Sequence, residues 1–277
     1  MLDIIDNIPD GFLVSSFSRS KETQLRDSHE HNFHEIYFLV KGTARHFIEN
    51  EIINMNSGEF VLIKKGDLHK TMYSPGETTE RLMICFSDEF LGEEYLSIIE
   101  ELGSQKYMKL SPFINLEMGE LARKIYKEYQ LQQYNYLDMC KCLTKELLTV
   151  FYRQTQRVQQ TTLTTTEQTM QDIAKYITEN YNSDISLAHL ADKYAMSQGH
   201  LSRTFKSVTG FGINEYITAI RISNAEKLLK TRQFSVTEVA LKCGFSDSNY
   251  FTSVFRVKKG ITPRKYALMV KEDSAVK

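Results

Sequence analysis

The sequence of 277 residues has few cysteines, and their spacing forms no known pattern. The four cysteines, Cys85, Cys140, Cys142 and Cys243, lack the paired spacing of a zinc finger or a disulfide framework. Cys140 and Cys142 are two positions apart, which would place them on different faces of a helix. We therefore expect four reduced, structural thiols, as is usual in a reducing compartment.

The sequence also lacks the segments that would direct it to a membrane. It contains no run of about eighteen apolar residues, which excludes a transmembrane helix. The stretch Met1–Asp6 is acidic and has no basic region followed by an apolar one, unlike a signal peptide. We therefore expect a cytoplasmic protein without a membrane partner. Hydrophobic residues make up 42% of the chain, enough for the cores of two domains.

The net charge of −1 is small because two regions of opposite charge cancel. Residues 170–277 contain 16 Lys and Arg against 10 Asp and Glu, whereas residues 1–169 contain 18 against 25. A basic C-terminal part joined to an acidic N-terminal part is the pattern expected when only the C-terminal part contacts phosphate.

A sequence pattern occurs twice in this basic part. Residues 186–207 predict a short helix, a turn and a second helix, and residues 235–258 repeat that order. Equivalent apolar positions are 49 apart before the turn and 50 apart after it, as for Leu201 and Phe251. The second copy therefore has one extra residue in its turn. Each copy predicts a helix-turn-helix unit.

The second copy also carries a family signature. It has Gly244-Phe245 in the turn, Phe251 and Phe255 in the second helix, and Gly260 shortly before Thr262-Pro263. With these residues, positions 168 to 270 closely resemble the DNA-binding domain of the AraC/XylS family of bacterial transcription regulators. The resemblance implies an activator that responds to a small-molecule effector, binds double-stranded operator DNA as a homodimer and recruits RNA polymerase.

The outward faces of the two second helices supply the candidate DNA contacts. Arg203 is expected to read guanine, because its guanidinium spans O6 and N7, and Asn249 can pair with adenine. Serine at position 253 makes the second helix the plainer base reader. The candidate base-reading residues are Arg203, Gly199, Ser202, Asn249, Thr252 and Ser253. The candidate phosphate contacts are Lys206, Arg256, Lys258, Arg264 and Lys265.

Two further helices complete the predicted DNA-binding domain. Met170, Ile173 and Ile177 form the apolar stripe of its first helix. Residues 213–230 predict one long helix between the two repeats. A rigid connection of this kind would hold the recognition helices about 34 Å apart, the distance between successive major grooves on one face of DNA.

The N-terminal part reads as β structure from residue 11 to about 86. Short β-rich runs alternate with Gly, Asn and Asp, which favours a small barrel or jelly roll. The expected strands are Glu35–Val40, Thr43–Ile48, Phe60–Ile63 and Leu82–Phe86. Two histidine-containing motifs in this region resemble those of the cupins. The matching residues are His29, His31, Glu35, Gly42, Gly58, Gly66 and His69, while Lys64 and Tyr73 depart from the second motif.

Three roles stay open for His29, His31, Glu35 and His69. The cupin resemblance implies that they can bind a divalent metal, since imidazole and carboxylate suit Zn, Mn, Fe or Ni. In sensor domains of this regulator family such residues can instead line the pocket of an organic effector, often a sugar. They can also be ordinary, hydrogen-bonded strand and loop residues. His34 and His46 fit neither motif and are expected to be structural.

From about residue 88 to 158 the apolar spacing becomes helical. The expected stripes are Leu116, Leu121, Ile125 and Tyr129 in one helix, and Leu137, Leu143, Leu147, Leu148 and Phe151 in another. Such stripes can form a dimer interface or cover the barrel within one subunit. The family resemblance favours dimerisation. A threonine-rich stretch, residues 159–168, is expected to be the linker.

The sequence thus predicts an α+β multidomain protein. Residues 1–90 form a cupin-like β-barrel, residues 91–158 a helical dimerisation segment, and residues 169–277 an all-α domain with two helix-turn-helix units. We expect a transcription regulator with no catalytic residues. Two alternatives are a metal-dependent cupin enzyme with a DNA-binding appendage, and a scaffold that keeps the fold but has lost its affinity for DNA.

Overall fold

The computed structural model describes residues 8–19, 29–73, 77–104, 110–155 and 163–273. The chain divides into two compact units, Met1–Thr165 and Thr166–Lys277. None of the helices in the described ranges is both long enough and apolar enough to cross a membrane.

The first unit contains two antiparallel sheets. Their strands are β1 (Phe12–Arg19), β2 (His34–Lys41), β3 (Thr43–Ile48), β4 (Glu51–Asn56), β5 (Phe60–Ile63), β6 (His69–Tyr73) and β7 (Thr79–Phe86). The larger sheet has the order β1-β7-β2-β5 and the smaller one the order β4-β3-β6. The predicted N-terminal β domain is confirmed, although β1, β4 and β6 are strands that the sequence did not reveal.

The larger sheet separates two hydrophobic cores. Successive side chains of a strand point to opposite faces, so alternate residues of β2 and β7 enter different cores. Tyr37, Leu39 and Met83 pack with Ala44 and Ile48 of the smaller sheet, in the core between the two sheets. We call that space the sheet interior. Ile36, Phe38, Leu82 and Ile84 point the other way, towards the helices.

Four helices follow the strands: α1 (Asp88–Leu91), α2 (Leu96–Ser104), α3 (Pro112–Leu131) and α4 (Tyr136–Thr155). Most residues of the two stripes predicted for dimerisation pack inside the first unit. They are buried against the face of the larger sheet that carries Ile36 and Phe38: Ile125, Leu143, Leu147, Leu148 and Phe151. Leu116, by contrast, is 57% exposed. These stripes therefore cover the sheet within one subunit. The dimer itself stays a prediction.

The second unit is helical, as predicted. Its helices are α5 (Thr165–Asn180), α6 (Leu187–Lys193), α7 (Gln198–Thr209), α8 (Ile213–Thr231), α9 (Val236–Lys242), α10 (Ser248–Lys259) and α11 (Pro263–Asp273). The tandem helix-turn-helix units, α6–α7 and α9–α10, and the long connecting helix α8 are confirmed. Because α5 begins at Thr165, the linker prediction is wrong for residues 165–168. Residues 159–162 lie outside the described ranges.

The two helix-turn-helix units differ in their turns as the repeat spacing predicts. Four residues separate α6 from α7, and five separate α9 from α10. Each turn contains one left-handed residue, Ala195 with φ 51° in the first and Gly244 with φ 81° in the second. Only glycine adopts that conformation without a steric cost, so the first turn is the more strained of the two.

Candidate DNA interface and effector site

Helix α7 has one exposed polar face and one buried apolar face. The Ser197 side chain accepts a hydrogen bond from the backbone N–H of His200 and so caps the helix N-terminus. Leu201 and Phe205 are buried in the core below. On the opposite face Arg203 is exposed. The helix is therefore fixed at its start and held by its apolar side, with Arg203 free to reach a base edge.

Gly199 leaves room for the Arg203 side chain. A Cβ atom placed on Gly199 would lie 3.7 Å from Nη1 of Arg203, so the guanidinium extends back over the first turn of α7. Gly199 itself is exposed, and Ser202 beside it is half-buried. The N-terminal turn of a recognition helix is the part that contacts base edges in helix-turn-helix proteins. The Arg203 side chain thus lies over the first turn of α7.

Helix α10 has the same design with smaller polar groups. Asp247 caps it by accepting a hydrogen bond from the backbone N–H of Asn249, and Phe251 is buried beneath it. Asn249 and Ser253 are exposed. Thr252 is half-buried, and its hydroxyl donates to the Ser248 carbonyl at 2.8 Å. That hydroxyl therefore has only acceptor capacity left for a base.

The cations of this unit fall into two groups. The five predicted phosphate contacts are exposed, and none of them forms an ion pair with a residue in the described ranges: Lys206, Arg256, Lys258, Arg264 and Lys265. Two other cations hold the fold together. Lys259 pairs with Glu226 of α8 at 2.8 Å. Arg221 donates to the carbonyls of Tyr181 and Ser183.

In the first unit, three of the predicted site residues converge. One ring nitrogen from each of His29, His31 and His69 lies within 4.8 Å of the others. Reciprocal backbone hydrogen bonds of 3.2 and 3.1 Å between His29 and His69 fix two of these positions. The Glu35 carboxylate lies 3.4 Å from Nε2 of His31. We call these four residues the histidine cluster.

Hydrogen bonds to the backbone fix the tautomers of two cluster histidines. His31 donates from Nδ1 to the Phe33 carbonyl at 2.7 Å, and His69 donates from Nδ1 to the Asp67 carbonyl at 2.9 Å. Nδ1 of each ring therefore carries a proton. Burial, the largest influence, puts the pKa of His69 well below its ordinary value, so its imidazole is neutral. A carbonyl-oriented neutral imidazole is the usual arrangement of a metal ligand.

The other two histidines of the sheets stand apart from the cluster. His34 bonds Asp88 through Nε2 at 2.8 Å and receives the backbone N–H of Lys65 on Nδ1. It therefore ties β2 to α1. His46 lies in the sheet interior, where its Nδ1 is 3.2 Å from the Thr71 hydroxyl. Burial is the main reason that the pKa of His46 falls to about 3, so its ring is neutral as well.

Sequence reasoning missed three polar side chains of the sheet interior. Arg81 donates from Nη1 to the Tyr73 hydroxyl at 2.9 Å, and the Tyr37 hydroxyl donates to that same oxygen at 3.2 Å. The available signal was the two-residue period of a strand. Met83 faces the interior, so extending the strand backwards by two residues puts Arg81 on the same face.

A cleft of about 610 Å³ lies elsewhere on the first unit. Its lining includes Asn32, Phe33, Ser87, Phe90 and Lys141, and it contains no residue of the histidine cluster. Its lining mixes polar with apolar side chains. Polar groups also converge in the sheet interior, at the histidine cluster and at Arg81.

Two family descriptions match the two units. Residues 14–135 match the AraC-like ligand binding domain, and residues 190–268 match a helix-turn-helix domain. The chain belongs to the AraC family of transcriptional regulators. It is thus a DNA-binding regulator with a ligand-binding domain, as the sequence predicted.

Named relatives agree with this membership. The transcriptional activator RhaR of Yersinia pseudotuberculosis is 23% identical over 241 residues, covering 86% of this chain and 83% of RhaR. The uncharacterised regulator YfiF of Bacillus subtilis is 26% identical over 256 residues, covering 88% of this chain and 79% of YfiF. The crystal structure of ToxT from Vibrio cholerae is 19% identical, with a TM-score of 0.38 over 95% of this chain and 99% of ToxT.

Proposed function

We propose that this AraC-family regulator is a transcription activator whose DNA binding responds to a sugar or related metabolite in the sheet interior. It acts as a homodimer in the cytoplasm, recruits RNA polymerase and catalyses no reaction. The activator role is supported by its similarity to RhaR, which is named as a transcriptional activator. A polar small molecule is supported by the hydroxyl, imidazole and guanidinium groups that face one another between the sheets.

In this proposal the two exposed recognition faces read the operator. Arg203, Gly199, Ser202, Asn249, Thr252 and Ser253 contact bases, and Lys206, Arg256, Lys258, Arg264 and Lys265 contact phosphate. The observation that carries the assignment is the exposure of these five cations without ion-pair partners among the described residues, next to two capped helices. A helix with a buried apolar side and an exposed cationic side suits the major groove.

A genome-wide binding map tests the regulator proposal, followed by gel shifts on the strongest site with and without metabolites of the neighbouring genes. We expect one bound operator whose affinity changes with one metabolite. Complete absence of DNA binding at low salt would instead favour the scaffold alternative. Sedimentation of the protein–DNA complex tests the dimer, because a single protomer on the full operator would contradict it.

A specific observation supports a second function for the histidine cluster, the binding of a divalent metal. The neutral ring of His69 presents the lone pair of Nε2, His29 and His31 each add a ring nitrogen, and the Glu35 carboxylate lies beside them. Three imidazoles and one carboxylate suit Zn, Mn, Fe or Ni. Such an ion would supply a positive charge that polarises bound ligand oxygens.

Metal analysis and calorimetric titration with Zn²⁺ test this second function. We expect one ion per chain in the wild type and none in His69→Ala. His46→Ala is the matched control, since His46 is also buried in the sheet interior but lies outside the cluster. Absence of stoichiometric metal from the wild type would leave the cluster as ligand for the organic effector.

A further inference from the structure

Arg81 carries a buried charge that no direct ion pair within the described ranges neutralises. Its side chain is 8% exposed, yet no carboxylate of a described residue forms an ion pair with it. Its Nε atom has no hydrogen-bond partner. The carboxylate of Glu35, which also faces the sheet interior, attracts Arg81 through space but makes its close contact with His31. A buried charge without a counter-ion in direct contact is costly, so its presence in a folded protein needs a reason.

The surroundings of Arg81 hold its guanidinium in one place. Its Nη1 donates to Tyr73, and its central carbon lies 5.4 Å from the ring centres of both Phe17 and Tyr37. Tyr73 belongs to the smaller sheet and Arg81 to the larger one, so the guanidinium bridges the sheet interior. A planar cation held between two rings keeps its remaining N–H groups directed into that interior.

Two more polar atoms in this region have no partner. Nε2 of His46 is buried and unpaired, and so is the hydroxyl of Thr79, two residues before Arg81 on the same face of β7. When the Thr71 hydroxyl donates to Nδ1 of His46, the ring proton sits on Nε2 and is available to a ligand. The interior thus offers several donors around the Arg81 cation, and its carboxylate, Glu35, lies at the histidine cluster.

We infer that the sheet interior binds a small carboxylate-bearing effector, whose carboxylate pairs with the Arg81 guanidinium. The two parallel N–H groups of a guanidinium match the two oxygens of a carboxylate. A carboxylate brings one negative charge to Arg81, whereas a phosphate monoester would bring about one more to an interior that already holds Glu35. This inference rests on the proposed effector-responsive function and specifies the chemical class of the effector.

The rest of the effector would extend towards the histidine cluster. Arg81 pairs with Leu39 across the β2–β7 ladder, four residues along β2 from Glu35. Four residues of strand span roughly 13 Å between Cα atoms, and the intervening side chains shorten the distance between the functional groups. A hydroxy acid or sugar acid has its carboxylate and its hydroxyl groups a few bonds apart. Such a molecule could use both ends of the interior.

Thermal unfolding and calorimetry of the full chain test the inference with matched probes. Sodium acetate is compared with sodium chloride at equal ionic strength, D-glucuronate with D-glucose, and glucose 6-phosphate serves as the phosphate probe. We expect the carboxylate of each pair to raise the Tm of the wild type above its partner. In Arg81→Met this difference should vanish, and the affinity for glucuronate should fall roughly tenfold or more, the loss expected for a hydrogen bond to a charged group.

Two variants control for a purely structural role of Arg81. Arg45→Met removes an arginine that bonds Asn54 on the outer face of β3, and it should keep the carboxylate response. Without any probe, Arg81→Met should lose little stability, because the cost of burying the cation offsets its hydrogen bond to Tyr73 and its attraction to Glu35. A lower Tm of Arg81→Met combined with an unchanged carboxylate response would show a structural tie and overturn the inference.

The remaining outcomes are also decisive. Equal Tm values in carboxylate and in its matched partner, or a response to phosphate alone, contradict carboxylate binding. Gel shifts without probe separate this failure from failure of the regulator proposal. A wild type that binds DNA but shows no carboxylate response overturns only the present inference, whereas a wild type that binds no DNA overturns the proposed function.

Discussion

The two helix-turn-helix units have nearly the same sequence pattern, but they differ in how tightly their turns are packed and in the side chains on their exposed faces. In the second helix-turn-helix unit the turn residue Gly244 is packed so closely that a Cβ atom there would lie 2.7 Å from the Tyr181 carbonyl oxygen. In the first helix-turn-helix unit the equivalent left-handed position is occupied by alanine, Ala195. The polar faces differ in the opposite direction, since Arg203 of α7 has no counterpart as long at Ser253 of α10. The second helix-turn-helix unit therefore has the more tightly packed turn, and the first carries the longer cationic side chain on its exposed face.

The largest effect should come from Gly244→Ala. Alanine would adopt an unfavourable φ and contact both Tyr181 and Asn182 of the neighbouring segment. We expect the free energy of unfolding to fall by about 3 kcal/mol, the sum of left-handed strain and backbone crowding. Urea unfolding measures the change. A loss below that of an ordinary surface substitution would show that the second turn is as tolerant as the first.

Arg203→Ala should have the next largest effect, on DNA rather than on folding. We expect operator binding to weaken by about 1–3 kcal/mol and the preference at one base pair to relax. Asn249→Ala, on the equivalent face of α10, should cost less. Quantitative gel shifts on a set of single-base operator variants measure both. Equal weakening on every sequence would make Arg203 a phosphate contact and remove the difference between the two helices.

Ala195→Gly should bring the first turn closer to the second. Glycine removes the steric cost of the left-handed conformation at φ 51° and so should stabilise the protein by about 1 kcal/mol. Urea unfolding beside Gly244→Ala gives the two changes on one scale. If Ala195→Gly destabilises the chain, the methyl group of Ala195 makes a packing contact that outweighs its strain.

The smallest effect should come from the phosphate contacts. Lys206→Ala and Arg256→Ala occupy similar positions in α7 and α10, and each should reduce the slope of log affinity against log salt by about 1. Each should weaken binding uniformly across operator sequences. Salt titrations of binding measure the slope. An unchanged slope for Arg256→Ala alone would mean that α10 does not contact the backbone through this residue.

The helices of Thr166–Lys277 could be predicted from the sequence, because each of them has its own local sequence pattern. The repeat spacing predicted both helix pairs and the extra turn residue, and one apolar pattern predicted α8. The strands were harder. The sequence of β6, His69–Tyr73, is polar because its inward side chains line the sheet interior, so a search for apolar runs misses it.

The partners of an apolar face also escape sequence analysis. The stripe on α4 could equally cover a sheet or a second subunit, and only the fold shows Leu147 and Phe151 buried under the larger sheet. Arg81 was overlooked for a related reason. An arginine next to a predicted strand looks like a surface residue until the register of β7 places it opposite Phe17 and inside.

Helix α8 has a thermodynamic consequence for both recognition helices. Tyr216, near the start of α8, contacts Phe205 and Phe211 in the core of the first helix-turn-helix unit. Ile222, Ala225 and Leu229 of α8 lie in the core of the second helix-turn-helix unit. One helix therefore supplies part of both cores, and the Lys259–Glu226 pair fastens the end of α10 to it as well. Neither recognition helix can melt without exposing apolar surface of α8 that the other needs. The tandem repeat should accordingly unfold in a single cooperative transition. A destabilising substitution in one helix-turn-helix unit should therefore weaken DNA binding by both.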